Sequence, residues 1–143
     1  MTTEREVVLY LLESCLDRST YLGVSDNLQR RLRQHNGLAT GGGRYTSRHR
    51  HWRLFAYVRG FDSRSEALRL EYRAKHCSWR PAAAPMESHA HRRFLLLSNM
   101  IRRFPHLSIV VQTDCSPVVV QCTDTPYVLQ RVQRGEIQSG HLP

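Results

Sequence analysis

The chain has 143 residues, 41% of them hydrophobic and 23% charged, with a formal net charge of +9. That composition excludes a disordered tail and gives one compact domain a modest core. The longest apolar run, residues 7–12, is far too short to span a bilayer, and the basic excess points to a polyanionic partner.

Residues 7–12 are apolar at every position, the pattern of a central strand buried on both faces. A polar turn at 13–19 and a second apolar stretch at 20–24 predict an antiparallel hairpin. Ser25 or Asp26 is placed to cap a following helix, and Asn36-Gly37 to end it. Residues 37–51 then form a long loop with three consecutive glycines, and loops of that length are usually functional or disordered. A third strand is predicted over 53–58. Ser63 and Glu66 make a capping box for a helix running to about residue 76. Beyond a Pro/Ala-rich break, residues 91–103 read as an amphipathic helix and 107–112 as a strand. A further strand at 118–121 precedes a polar tail. The resulting division is 1–80 for a core, 81–113 for a helix–strand extension and 114–143 for the tail.

Charge is unevenly placed: residues 1–80 carry 15 Lys+Arg against 8 Asp+Glu, and residues 81–143 carry 6 against 4. Lys75 is the only lysine. A guanidinium grips phosphate in bidentate fashion, so the arginine bias suits nucleic acid, although a GC-rich coding sequence gives the same bias. Arg44, Arg48, Arg50 and Arg53, with two histidines and no acid between them, are the best candidates for contact with a nucleic-acid backbone. Arg30 and Arg33 belong to the same basic surface. Trp52 is either a base-stacking platform or, as for most tryptophans leading into a strand, a core residue. Cys77 with His89 and His91 fits no standard zinc spacing.

Leu28 and Leu32 define the buried stripe of the first helix. At roughly 100° per residue, Arg31 and His35 lie beside that stripe, and Arg30 and Arg33 point elsewhere. In the later helix Ala67, Leu70, Glu71 and Ala74 follow helical spacing, so a carboxylate lies within an apolar stripe. Such a group requires a partner. Two are open: a structural ion pair with Arg31, or a Mg²⁺ or Mn²⁺ ion completed by water and substrate phosphate. Tyr10 shares a strand face with Val8 and Leu12, while Tyr21 shares one with Gly23, where the missing side chain leaves space for another group. Two phenols, an arginine and a carboxylate make a set able to handle a phosphodiester: Glu71 to hold a Lewis-acidic metal, Arg31 to neutralise developing charge, Tyr10 to orient or deprotonate water.

The ordered series Leu9-Tyr10, Tyr21-Leu-Gly-Val-Ser-Asp-Asn27, Arg30-Arg-Leu-Arg-Gln-His-Asn-Gly37, Gly42-Gly43, Thr46-Ser47-Arg48, Trp52, Gly60-Phe61 and Ala67-Leu-Arg-Leu-Glu71 resembles the GIY-YIG nuclease superfamily. Within it, the match is to the branch of catalytic subunits of structure-specific endonucleases that cut flaps and Holliday junctions. The resemblance implies an α+β (α/β) fold, with a small central antiparallel three-stranded sheet flanked by helices and followed by a helix–strand extension. It implies single-metal hydrolysis of branched DNA in repair or recombination, in an intracellular and nuclear setting. By position, Tyr10 and Tyr21 match the two motif tyrosines, Arg31 the catalytic arginine, His35 the helix histidine and Glu71 the metal ligand. The first motif departs from the family pattern, reading Val8-Leu9-Tyr10, so only its tyrosine survives. Members of the branch end in a zinc RING-type domain that docks a scaffold protein. Four scattered cysteines do not supply one, which leaves a scaffold partner open. The different reading is a non-catalytic nucleic-acid-binding module that uses the basic surface alone.

Overall fold

The computed structural model describes residues 5–43, 46, 51–78, 89–112 and the backbone of 117–120. Five antiparallel strands form one sheet: β1 (Val8–Ser14), β2 (Thr20–Ser25), β3 (Trp52–Arg59), β4 (Ser108–Gln112) and β5 (Pro117–Val120), in the order β2-β1-β3-β4-β5. Among the described residues it is accompanied by the helices α1 (Leu28–His35), α2 (Arg64–His76) and α3 (His89–Ile101). The α+β architecture and the β1–β2 hairpin are as expected. The sheet is larger than three strands because the strands after α3 join the same sheet at the free edge of β3.

Every residue of β1 is buried, as its unbroken apolar run requires of a strand covered on both faces. On one face Leu9 and Leu11 pack with Leu22, Ala56, Val58, Ile109 and Val111 against Leu70 and Ala74 of α2 and Ala90, Phe94, Leu97 and Ile101 of α3. These last four recur at spacings of four, three and four residues, one stripe of a helix. On the opposite face Tyr10, Leu12 and Trp52 form a smaller cluster, with Tyr21, Leu54, Tyr57 and the α1 leucines 28 and 32 packed against it.

A β-bulge sets which residues of β3 face each cluster. The β1–β3 register shifts between Leu11, opposite Ala56, and Leu12, opposite Leu54. Phe55 is the extra residue, and it joins Ala56 on the large-core side. Strict alternation resumes on either side of it, so Trp52, Leu54 and Tyr57 all share the face of Tyr10. A bulge inserts one residue without reversing the rest of the strand, and here it brings Tyr57 directly opposite Tyr10.

The helix ends refine two expectations. Asn27 caps α1, with its Oδ1 accepting from the Arg30 amide at 3.1 Å; Ser25 Oγ instead accepts from the Asn27 amide at 2.9 Å, one step before the helix. Ser63 caps α2 as expected, accepting from the Glu66 amide, while the Glu66 carboxylate accepts from the Asp62 amide rather than from that of Ser63. Glu66 also bonds His106 at 2.7 Å, tying the start of α2 to the turn before β4.

Gly60 closes that corner with φ +95°, and a β-carbon there would meet the backbone of His106, lying 3.3 Å from its carbonyl carbon. The left-handed conformation and the backbone collision both oppose a side chain. Gly60→Ala is therefore expected to destabilise the fold by at least about 2 kcal/mol, read as a lowered urea midpoint with unchanged slope.

Candidate active site

Tyr10 lies at the centre of the small-cluster face, 1% exposed, with Gly23 opposite it on β2 and Tyr57 opposite it on β3. A β-carbon at residue 23 would come within 2.6 Å of Tyr10 Cζ and 2.9 Å of Tyr21 Cε1. The missing side chain is thus what admits both phenols. From α1, His35 comes down onto them. Its Nε2 is 2.9 Å from Tyr10 Oη, and its ring centroid is 4.7 Å from that of Tyr21 and 5.9 Å from that of Tyr10.

The helical-face reasoning for α1 holds in the structure: His35 is buried, Arg31 half-buried, and Arg30 and Arg33 exposed. Arg31 Nη1 donates to Gln34 Oε1 at 2.8 Å and to the Gly41 carbonyl at 3.3 Å. Gln34 in turn donates to the Thr40 carbonyl at 2.9 Å. The guanidinium is thereby held close enough to the Tyr10 phenol for its charge to favour the ionised form. Gln34 was not singled out from the sequence, although its i+3 spacing from Arg31 is a signal for such a pair.

Glu71 occupies the expected position between buried Ala67, Leu70 and Ala74, but at the rim of the stripe: its side chain is 18% exposed. Its carboxylate accepts from Lys75 Nζ at 2.7 Å, and that ammonium sits 5.8 Å from the Tyr21 ring centroid. No ion pair joins Arg31 to Glu71 among the described residues, and their recorded partners differ. Glu71 is nonetheless close enough for its charge to act on Tyr10.

Electrostatics at the two central groups run in opposite directions. Burial, reinforced by Tyr21, pushes the Tyr10 phenol up to about 12 against the pull of Arg31. Burial, helped by the Arg31 charge, lowers His35 to about 4. At neutral pH both groups are uncharged. His35 Nδ1 is buried without a hydrogen-bond partner among the described residues. An orphaned ring N–H costs more than an orphaned lone pair, so the favoured tautomer carries its proton on Nε2 and donates it to Tyr10 Oη. That leaves the phenol's own proton free for another acceptor.

Residues 6–78 match the family model described as the GIY-YIG catalytic domain. The chain belongs to the GIY-YIG family. Among its relatives, the structure-specific endonuclease subunit SLX1 of Eremothecium gossypii is 48% identical over 71 residues, covering 47% of this chain and 24% of its own length. That of Schizosaccharomyces japonicus is 42% identical over 69 residues, covering 47% and 25%. That of Aspergillus terreus is 32% identical over 109 residues, covering 74% and 28%. The chain covers about a quarter of the length of these curated relatives.

The remaining expectations for this GIY-YIG domain fall differently. Trp52 is 4% exposed and belongs to the small core, so it is not a stacking platform. Its indole donates to the Thr46 carbonyl at 3.0 Å, and its backbone exchanges two hydrogen bonds with the Asn36 side chain, at 2.9 and 2.6 Å. Arg53 faces Glu13 across the β1–β3 pair at 3.6 Å and remains half-exposed. Arg44, Arg48 and Arg50 lie outside the described residues. Among the described residues, the cluster with metal-ligand spacing is Asp62, Glu66 and His106 rather than Cys77, His89 and His91. Its bonds are those of the α2 cap described above.

The lowered His35 value has a thermodynamic consequence. Between about pH 6.5, the ordinary imidazole value, and about pH 4 the unfolded chain binds a proton that the folded protein refuses. Stability contributed by neutral His35 is fully present above that window and lost as pH falls through it. Urea denaturation should show this loss, and His35→Gln should remove it. The His35 ring resonances should titrate near pH 4 and not near 6.5.

Proposed function

We propose that the chain is the catalytic domain of a metal-dependent, structure-specific DNA endonuclease that hydrolyses phosphodiester bonds in branched DNA such as 5′-flaps, forks and four-way junctions. The observation that carries this reading is the convergence of Tyr10, Tyr21, His35 and Arg31 on one sheet face, with the Glu71 carboxylate acting on the same phenol. A binding module has no use for two buried neutral proton carriers in contact beside a carboxylate. The relatives' designation as structure-specific endonuclease subunits supports the substrate class.

Glu71 fits a divalent metal. It offers hard oxygen donors at a partly open position, and its recorded partner is a flexible lysine rather than a fixed arginine fork. One carboxylate with several waters suits Mg²⁺ or Mn²⁺. Bound there, such an ion would supply Lewis acidity at the scissile phosphate and lower the proton affinity of nearby oxygen groups.

The protein's own groups account for the rest. Arg31, braced by Gln34 and the Gly41 carbonyl, stabilises negative charge gathering on the phosphoryl oxygens. Tyr10 at about 12 is a phenol at rest; ionising it at pH 7 costs about 7 kcal/mol, at about 1.4 kcal/mol for each pH unit. It therefore does not wait as a phenolate. Its hydroxyl orients the attacking water and relays its proton, passing its own to a phosphoryl oxygen as it takes one from the water, with the His35 N–H supporting the phenol oxygen and the Arg31 charge steadying it. Tyr21, ring against His35, keeps that imidazole dry and uncharged.

With labelled flap, junction and linear duplex DNA, nicking should require Mg²⁺ or Mn²⁺ and stop with EDTA. Glu71→Gln and Arg31→Ala should each lower the nicking rate by about 100-fold or more, while Glu71→Gln changes DNA affinity by less than about threefold. Retained binding without metal-dependent, Glu71-dependent nicking of any substrate would sink the enzyme reading in favour of a binding module.

A further inference from the structure

Across α2 from Glu71 lies a cavity of about 580 Å³ between α2, the end of α3 and the turn that follows it. Three arginines line it: Arg73 in the last turn of α2, and Arg102 and Arg103 immediately after α3. Asn99 adds an amide, while Leu70 and Phe104 contribute an apolar floor. None of its lining residues is acidic. Among the described residues, none of the three guanidinium groups has a recorded carboxylate partner. Helix C-termini favour a nearby cation, but that accounts for one arginine at each end and not for three facing a common space.

We propose that this cavity is a second DNA site, holding the phosphodiester backbone of an arm other than the one being cut; this rests on the reading of the protein as a nuclease for branched DNA. Like charges converging on a cavity repel each other until an anion enters, and guanidinium forks match phosphate oxygens in bidentate geometry. The three arginines are exposed, so a backbone passing along the cavity can reach them. At its size the cavity lies in the roughly 300–1,000 Å³ range of ligand-sized sites, more than one isolated phosphate fills. Glu71 and Arg73 are two residues apart on α2, about 200° around a helix about 10 Å thick. The two sites therefore lie on opposite flanks of one rigid element. That is the arrangement by which a protein that reads shape instead of sequence can require two divergent duplexes.

Fluorescence polarisation tests the proposal on binding alone, with Glu71→Gln as the background so that no substrate is cut. Replacing Arg73, Arg102 and Arg103 together by Ala should weaken four-way-junction binding about tenfold at fixed salt. It should also lower the slope of log affinity against log salt by about 2.7, since each of three phosphate contacts contributes about 0.9. Linear duplex affinity should change by less than about twofold, and the corresponding triple Lys variant should retain most of the junction affinity. Equal losses for junction and linear duplex, or none for either, would overturn the second-arm site. So would salt-sensitive binding of a polyglutamate peptide that the Ala variant loses while its DNA affinities stay unchanged. Nicking by the unaltered protein, followed in parallel, reports on the nuclease reading separately: its absence would leave the binding result to stand or fall by itself.

Discussion

Tyr10 occupies the space that any side chain at position 23 would take, and much of the site depends on that exclusion. Because the phenol lies over bare backbone at Gly23, Tyr21 can approach from the same strand as that glycine and His35 can descend from α1 to touch both. Burial then removes water from the pair and drives their proton affinities apart, the phenol upward and the imidazole downward. Both become neutral for the same physical reason, since a low-dielectric site penalises whichever form is charged. Among the described residues, the formal charges that bear on them are the Arg31 guanidinium, on both, and the Glu71 carboxylate, on the phenol.

The sheet supplies the platform at little cost in sequence. Alternation lets β3 feed an aliphatic core beneath and an aromatic cluster above, and its one extra residue brings Tyr57 onto the aromatic side. Helix α2 has an equally divided role. Its buried stripe anchors it to the large core, its cap is tied to the β4 turn through His106, and its two flanks carry a carboxylate and an arginine. Rigid elements hold such constellations more precisely than loops do, and none of the key side chains at the phenol pair depends on a loop for its own backbone position.

Periodicity made a large part of this legible. An unbroken apolar run identified β1, and helical spacing put Arg31 and His35 on one face and Glu71 within an apolar stripe. The Ser63 cap followed from local chemistry. What remained hidden depends on contacts distant in sequence. Nothing within β3 marks Phe55 as the extra residue, because a bulge is defined by its partner strand. Glu71 reads as buried from its neighbours, yet the helix presents it at the rim, where Lys75 reaches it. Asn36 reads as a helix stop and is one, but its second role with Trp52 requires knowing what lies beside it. The direction of the Tyr10 shift also had to come from burial, since arginine and carboxylate neighbours alone leave it undecided.

That second role of Asn36 reaches beyond the helix end. Its side-chain amide imitates a backbone rung, donating to the carbonyl and accepting from the amide of a residue sixteen positions later. The stretch between is fastened at its root like a drawstring. Closing a longer loop costs only slightly more than closing a shorter one, so it is the clasp, with the Thr40, Gly41 and Thr46 carbonyls that hold Gln34, Arg31 and the Trp52 indole, that keeps α1 registered on the sheet. The residue that ends the helix carrying the proton-handling groups thus also fixes where the strand beneath them begins.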